Sequence, residues 1–374
     1  MKHPITLLIF FCALTLQAQT VAHNHQVTFR YDAPDATEVV LELNGMRIPM
    51  LPGNATWNVT TDSLPSDLYT YRYIVDGKPV TEAQSLRKMR DIDNWFDYFI
   101  IPDGIGSYFE ANNVPHGKTE QTWYTTADGN NRRMSVYLPP SYSNNNQPFP
   151  VLYLLHGSGG DELAWLELGR AAQILDNLIA EGKAEEMIVV MPSGNMWQEA
   201  SPAYYPKPVK LSHRDVRLSG TFEMQFPEII HYIDTHYNTV PDKHHRAVAG
   251  LSMGGYHAMH ISHHYPHTFD YVGLFSPAYC PTKIYHDNIL FPVSDSLPEV
   301  YRQVENELQT QFQAGLKLYW IAIGTDDFLY EENRLFRQIL DRNHYPYEYS
   351  ESAGGHTWQN WRHYLLTFAQ RLFR

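Results

Sequence analysis

The stretch "AVAGLSMGGYHAMH" at residues 247–260 sets one serine among three glycines, between a short apolar run and a segment of helical composition. Serine and glycine are poor strand formers and glycine is also a poor helix former, so local propensity does not explain this composition. Residues 250–254 fit the pattern G-x-S-x-G, which in a strand–turn–helix setting presents a serine on a sharp turn. The pattern predicts an exposed Ser252 hydroxyl at a helix N-terminus, with an ordinary tight strand-to-helix turn as the alternative.

The chain from residue 121 to residue 374 alternates two kinds of segment. Short apolar runs such as "PVLYLLHG", "MIVVMPSG", "YVGLFSP" and "LYWIAIGTDD" are typical of strands buried on both faces. Amphipathic stretches such as "EMQFPEIIHYIDTHY" lie between them and predict helices. We expect an α/β domain with a mainly parallel sheet and helices on both faces, whose functional loops follow the carboxyl ends of the strands.

Residues 21–105 have a different pattern, in which short strands alternate apolar and polar residues. Asn44-Gly45 and Asp76-Gly77 are hairpin turn signals. This part predicts an antiparallel β-sandwich. Residues 106–120 have no clear period and contain glycine and proline, and they are predicted to be a linker.

The first twenty residues indicate the location of the protein, and its net charge excludes some classes of partner. Residues 1–20 combine Lys2, an apolar stretch and a small residue at Ala18, which predicts a secretory signal peptide and an exported protein. Only Cys280 remains after its removal, so no intrachain disulfide is expected. The net charge of −13, without a basic run, argues against nucleic-acid or membrane-surface partners.

A serine hydroxyl becomes nucleophilic only when a base accepts its proton. His257 and His260 follow Ser252 on the same predicted helix and point away from the turn. His356 follows the predicted strand "YEYSES" in the glycine-bearing loop "AGGHTW", at the carboxyl end of that strand. His356 is therefore the predicted base.

The acid that orients the base is expected between Ser252 and His356, in the chain order Ser, Asp or Glu, His. The run "LYWIAIGTDDFLYEEN" ends a predicted strand and presents Asp326 and Asp327 in the loop that follows. Either could accept the imidazole N–H, and Asp327 is favoured.

The oxyanion of an acyl-transfer reaction requires two backbone donors. The first is expected at Met253, the residue after the nucleophile. The second is expected in the loop "HGSGG" at 156–160, from Ser158 with Gly157 as the alternative.

Several further groups of residues were considered for a functional role. His260, His263, His264 and His267 have spacings that a metal site could use, but no carboxylate lies nearby in sequence, so no metal is predicted. The irregular insertion at 193–222 is interpreted as a binding loop or lid, with a plain surface excursion as the alternative. A pocket for a substrate aromatic ring is predicted to be formed by Trp165, Trp197, Tyr204 and Tyr205, with a packing role as the alternative for each. In the sandwich, a sugar could stack on Trp57, Tyr69, Tyr71 and Tyr73, although alternation favours core packing for most of these four.

The motifs at 149–157 ("FPVLYLLHG"), 250–255 ("GLSMGG"), 324–327 ("GTDD") and 354–356 ("GGH") together resemble the esterase D-like esterase family. That family includes carbohydrate esterase family 1, with its feruloyl and acetylxylan esterases. The resemblance covers about residues 115–374 and implies an α/β-hydrolase fold without metal or cofactor. Carried over by position, it implies Ser252 as nucleophile, His356 as base and Asp327 as acid, with N–H donors at Met253 and Ser158. The loop "PSGN" at 192–195 departs from the family pattern, which has Asn before Gly.

The N-terminal part resembles the immunoglobulin-like early-set module, akin to family 48 carbohydrate-binding domains, that precedes such esterases in gut and rumen Bacteroidetes. Together with the predicted signal peptide, the two resemblances imply an exported serine carboxylesterase that removes feruloyl or acetyl groups from plant cell-wall polysaccharide such as arabinoxylan. The alternatives are a siderophore (enterochelin-type) trilactone esterase, against which the signal peptide argues, and a catalytically inert carbohydrate-binding protein. A formylglutathione hydrolase would need neither export nor a sandwich domain. Oligomeric state is not specified by the sequence.

Overall fold

The computed structural model describes residues 19–21, 24–83, 85–143, 147–196, 198–201, 219–279, 291 and 297–374. The chain divides into two compact units. One consists of the residues up to Lys88 together with Phe96–Gly104, and the other of Met89–Trp95 with Ile105–Arg374. Each is described by itself.

The strands between residues 19 and 100 form two antiparallel sheets, as the alternating pattern predicts for a β-sandwich. The first has the strand order β1-β2-β6-β5, and the second has the order β4-β3-β7-β10-β9 with β8 paired to β7. The strands are β1 Gln19–Val21, β2 Val27–Asp32, β3 Val39–Leu43, β4 Met46–Pro49, β5 Leu51–Pro52, β6 Thr56–Thr60, β7 Leu68–Val75, β8 Lys78–Val80, β9 Lys88–Asp91 and β10 Asn94–Ile100.

The inward-facing residues of these strands form an apolar core that includes three of the four aromatics considered for sugar stacking. Tyr69, Tyr71 and Tyr73 are buried and pack against residues such as Phe29 and Phe99. A sugar cannot reach these rings, so the stacking interpretation is wrong for all three. Trp57 is half-buried against the same core, and its indole N–H donates to the Ala33 carbonyl at 3.1 Å.

The second unit contains a sheet with the strand order β11-β12-β14-β13-β15-β16-β17-β18. Its first two pairings, β11 with β12 and β12 with β14, are antiparallel and the others are parallel. The strands are β11 Lys118–Thr125, β12 Asn131–Leu138, β13 Val151–Leu155, β14 Ile188–Pro192, β15 Arg246–Leu251, β16 Tyr271–Phe275, β17 Leu318–Gly324 and β18 Glu348–Ser352.

Helices surround this sheet, which gives the α/β-hydrolase architecture expected from the sequence. The α-helices are α1 Ala164–Glu167, α2 Ala171–Ala180, α3 Thr221–His236, α4 Met253–His264, α5 Val304–Gln313, α6 Tyr330–Arg342 and α7 Trp358–Ala369. Short 3₁₀ helices span Gly104–Phe109, Lys243–His245 and Glu299–Tyr301. None of the helices in the described ranges has both the length and the apolar composition needed to cross a membrane.

The register of the parallel strands decides where the functional loops lie. Leu155 of β13 pairs with Gly250 of β15, and Gly250 pairs with Leu274 of β16. Leu274 in turn pairs with Ile321 of β17. Because the strands run in one direction, the loops that follow them meet at one edge of the sheet.

The segment predicted to be a linker at 106–120 is partly ordered into named elements. The 3₁₀ helix Gly104–Phe109 overlaps its start, and β11 begins at Lys118. Phe109 is fully buried and stacks on the His363 ring with 6.0 Å between the centroids. The first part of the predicted linker therefore packs as part of the α/β unit, because Phe109 is buried there.

Candidate active site

Ser252 lies between β15 and α4 with φ 53° and ψ −115°, a backbone conformation that non-glycine residues rarely adopt. The neighbouring glycines make this turn sterically accessible. A β-carbon at Gly250 would overlap the Gly254 carbonyl, one at Gly254 would overlap the Leu155 carbonyl, and one at Gly255 would lie 2.7 Å from Pro277 Cβ. The Ser252 N–H donates to the Phe275 carbonyl at 2.9 Å, which fixes the turn to the end of β16.

Ser252, His356 and Asp327 form a continuous hydrogen-bond chain. Ser252 Oγ and His356 Nε2 are 2.9 Å apart. His356 Nδ1 lies 3.0 Å from Asp327 Oδ1 and 2.9 Å from Asp327 Oδ2. The Asp327 side chain is fully buried and also accepts the Leu329 N–H at 2.9 Å, so its orientation is fixed. Asp326, the alternative acid, is exposed.

Asp327 and His356 meet because the loops after β17 and β18 approach each other closely. A β-carbon at Gly324 would overlap the Gly354 carbonyl oxygen, so only glycine fits at the end of β17. The Asp326 N–H donates to the same carbonyl at 3.0 Å. Gly354 has φ 85°, which lets the loop turn back toward Asp327 before it reaches His356.

Two aromatic side chains contact the His356 ring. Trp361 is buried and makes an edge contact at 4.9 Å between ring centroids, and Phe328 lies at 4.5 Å. Trp358 packs on Trp361 at 5.2 Å. Phe328 and Trp361 were not predicted to be part of the site, although both lie within five residues of a candidate catalytic group.

Trp165, predicted to contact substrate, belongs to the core behind the site. It is 1% exposed, and its indole N–H donates to the Leu155 carbonyl at 3.0 Å. Its ring packs against Phe275 and Trp358. The predicted contact is wrong for Trp165, because burial and this hydrogen bond commit the whole side chain to packing.

Met253 and the loop that contains Ser158 both lie next to Ser252. Met253 is the first residue of α4, so its N–H has no acceptor within the helix. On the other side, a β-carbon at Gly157 would be 3.3 Å from Ser252 Cβ, which places the loop after β13 against the serine. The Gly157 carbonyl accepts bonds from His156 Nδ1 at 2.8 Å and from the Gly160 N–H at 3.1 Å.

His156 connects the loop after β13 to the loop after β14. Its Nδ1–H donates to the Gly157 carbonyl, and its Nε2 accepts the Gly194 N–H at 2.8 Å. Asn195 adds a second link by donating its amide N–H to the Gly160 carbonyl. Arg132 holds the second loop through the carbonyls of Ser193 at 2.8 Å and Asn195 at 2.9 Å. The "PSGN" segment therefore serves as a buried support for the loop beside Ser252.

Burial lowers the pKa of His156 to about 4, so the ring is neutral at pH 7. An unfolded histidine has a pKa of about 6.5 and binds its proton at higher pH. The stability that neutral His156 contributes is complete above about pH 6.5 and is lost as the pH falls toward 4. Burial also lowers the pKa values of His260 and His263, which act in the same direction.

Between pH 6.5 and pH 5, we expect the free energy of unfolding of the wild-type protein to fall by about 1 to 2 kcal/mol more than that of His156→Asn, since the slope reaches at most about 1.4 kcal/mol per pH unit. Asparagine retains a donor toward the Gly157 carbonyl but does not titrate. Urea denaturation at both pH values measures the difference. Equal losses in the two proteins would contradict the neutral, buried state of His156.

His257 and His263 on α4 face carboxylates of neighbouring helices. His257 Nδ1 lies 2.6 Å from Glu223 Oε1, which also accepts the Tyr301 hydroxyl at 2.7 Å. His263 Nδ1 lies 2.6 Å from Glu307 Oε2, and His263 Nε2 lies 3.0 Å from His260 Nδ1. These carboxylates could not be recognised from the sequence around the histidines, because they belong to α3 and α5. Within the described ranges, no group of three or more His, Cys, Asp or Glu side chains is arranged to hold a metal ion.

Several predicted features fall on residues outside those described. They are Trp197, Tyr204 and Tyr205, the insertion from 202 to 218, Cys280, and residues 1–18 of the predicted signal peptide.

The geometry agrees with comparisons to known proteins. Residues 125–372 match the model of a family described as "Putative esterase". This chain belongs to that esterase family. The chain is 32% identical over 270 residues to an endo-1,4-beta-xylanase/feruloyl esterase of Xylanibacter ruminicola. This alignment covers 68% of this chain and 36% of the relative. The chain spans about a third of the length of the first curated relatives it matches.

Solved esterase structures have the same fold. A ferulic acid esterase matches with a TM-score of 0.55 and 26% identity, covering 68% of this chain and 97% of the other. The enterobactin esterase of Shigella flexneri matches with a TM-score of 0.63 over 92% of both chains, at 14% identity. The second likeness extends over both units but concerns the fold alone.

Proposed function

We propose that this esterase-family protein is an exported serine carboxylesterase that removes acyl groups from plant cell-wall polysaccharide. The observation that carries the proposal is the hydrogen-bond chain from Ser252 through His356 to buried Asp327, with Ser252 at positive φ. An ordinary strand-to-helix turn would need neither the strained serine nor the aligned base.

In the first half of the reaction, Ser252 Oγ attacks the ester carbonyl carbon while His356 Nε2 takes the hydroxyl proton. Asp327 accepts the His356 Nδ1–H and stabilises the imidazolium that forms. The tetrahedral intermediate collapses when the bond to the alcohol oxygen breaks. His356 Nε2–H then protonates that oxygen, and the alcohol leaves an acyl group on Ser252.

In the second half, a water molecule gives a proton to His356 Nε2 and attacks the acyl carbon. The new tetrahedral intermediate releases Ser252 Oγ, which recovers the proton from His356. The products are the free acid and the resting enzyme. No redox change or cofactor takes part in either half.

Met253 and Ser158 are the proposed donors to the oxyanion, and the backbone around Gly157 favours Ser158 over Gly157 as the second donor. A trans peptide is planar, so the Ser158 N–H points opposite to the Gly157 carbonyl. That carbonyl is directed to His156 and to the Gly160 N–H. The Ser158 N–H is therefore directed away from His156. The Gly157 N–H belongs to the preceding peptide, so these hydrogen bonds do not orient it.

The substrate class rests on the relatives and on the chain's own features. The relatives include a feruloyl esterase and a ferulic acid esterase. The predicted signal peptide at 1–20 supports an enzyme that meets polysaccharide outside the cytoplasm. We propose feruloyl or acetyl esters of arabinoxylan as the substrate, with no nucleic-acid or membrane partner.

Incubating the purified enzyme with feruloylated and acetylated arabinoxylan tests this proposal and selects the acyl group. We expect release of ferulate, acetate or both, measured by chromatography of the free acids. Hydrolysis of a cyclic trilactone siderophore without release from arabinoxylan would favour the siderophore esterase. Absence of turnover on p-nitrophenyl acetate and on all three substrates would favour the inert carbohydrate-binding protein.

A further inference from the structure

Phe328 is an exposed aromatic side chain in direct contact with the candidate catalytic base. It follows Asp327, is 69% exposed, and its ring centroid lies 4.5 Å from that of His356 at an interplanar angle of 50°. The buried Trp361 ring supports the same imidazole from another direction. Single exposed apolar side chains are common on proteins, so contact with His356 distinguishes this one.

The reaction itself decides which part of an ester would meet Phe328. His356 Nε2–H must protonate the leaving alcohol oxygen, so that oxygen comes within hydrogen-bond distance of the imidazole. The alcohol part of the ester therefore lies beside His356, whereas the acyl part extends from Ser252 Oγ. A ring packed on His356 is next to the alcohol part.

The loop around Phe328 favours a sugar over a hydrocarbon as that alcohol. Thr325 and Asp326 are exposed in the same loop and supply a hydroxyl and a carboxylate close in sequence to the phenyl ring. A sugar has apolar C–H faces that pack on an aromatic ring and hydroxyl groups that bond to polar neighbours. An alkyl chain could not form a hydrogen bond with the Asp326 carboxylate.

We propose that Phe328 is the stacking platform for the sugar ring that carries the scissile ester, and that it selects sugar esters over simple alkyl esters. This inference rests on the proposed function and adds the alcohol subsite to it. Phe328 takes no part in proton transfer, because its side chain has no titratable group.

The test compares Phe328→Ala with wild type on two esters of the same acyl group, methyl ferulate and a feruloylated arabinoxylo-oligosaccharide. If the enzyme releases only acetate, ethyl acetate and an acetylated xylo-oligosaccharide replace them. We expect the variant to lose about 10-fold in kcat/KM on the sugar ester, mainly through KM, and less than about 3-fold on the alkyl ester. Phe328→Trp should retain activity on the sugar ester.

Two controls separate stacking from an effect on the base. Trp123→Ala removes an aromatic side chain that is 38% exposed on β11 and should change neither rate. The pH profile of kcat/KM on the alkyl ester should be the same in wild type and Phe328→Ala, because His356 keeps its other partners.

Equal losses on both esters, or a shifted pH profile, would overturn the platform and make Phe328 a positioning residue for His356. Unchanged activity on both would also overturn it. A wild-type enzyme that hydrolyses the alkyl ester but not the sugar ester would instead overturn the polysaccharide substrate, which separates failure of the proposed function from failure of the platform.

Discussion

Ser252→Ala is expected to lower kcat on p-nitrophenyl acetate by about 10⁴-fold or more, because Ser252 Oγ is the atom that would carry the acyl group. Alanine keeps a β-carbon in the same strained turn, so folding should be little changed. The measurement is initial rates at saturating substrate, together with the thermal unfolding midpoint. A fluorophosphonate should add one covalent mass to wild type and none to the variant.

Ser276 offers a matched control. It follows β16, has φ 42°, and its hydroxyl is buried without a hydrogen-bond partner in the described part of the chain. Ser276→Ala should stay within about 3-fold of wild type, since removing an unpartnered buried hydroxyl costs little. Substantial turnover by Ser252→Ala, or loss of fluorophosphonate labelling in Ser276→Ala alone, would refute the nucleophile assignment.

Asp327→Asn is expected to lower kcat by about 10³- to 10⁴-fold. The amide is neutral and presents an NH₂ group toward His356 Nδ1, which favours the tautomer whose Nε2 carries the proton. That tautomer cannot accept the Ser252 proton. The change is close to isosteric, and one oxygen remains to accept the Leu329 N–H, so the unfolding midpoint should move little.

Asp326→Asn is the control for this change, because it alters the same kind of side chain one residue away. Asp326 is exposed, and only its backbone N–H is fixed, by the Gly354 carbonyl. We expect less than about 3-fold change in kcat for this variant. If Asp326→Asn lost more activity than Asp327→Asn, the acid would have been assigned to the wrong residue.

The fold and the candidate chemistry could be predicted from local patterns. Buried strands and tight turns leave strong signals, because apolar runs and glycine positions reflect constraints within a few residues. The glycines around Ser252 illustrate this, since each lacks room for a β-carbon in the structure. His356 was predictable because it follows a strand whose carboxyl end had to lie at the functional edge of the sheet.

Predictions about side-chain environment were less accurate. Trp165 was expected at a binding surface and lies in the core, whereas Tyr69, Tyr71 and Tyr73 fill the sandwich interior, as the alternation of apolar and polar residues favoured. Aromatic residues serve packing and recognition equally well, so composition alone does not separate the two roles. Glu223 and Glu307 were missed as histidine partners because helices distant in sequence bring them to α4.

The order of strands and helices, the serine turn, and the loops in which a base and an acid must lie could be predicted from the residues alone. The contact of His356 with Asp327 and not Asp326, the connection of two loops by His156, and the contact of Phe328 with the imidazole became evident only in the folded chain. The two groups of features differ in the range of the interactions that produce them. Backbone conformation follows from neighbouring residues, whereas hydrogen-bond partners and burial depend on strand register and on the approach of loops about thirty or more residues apart.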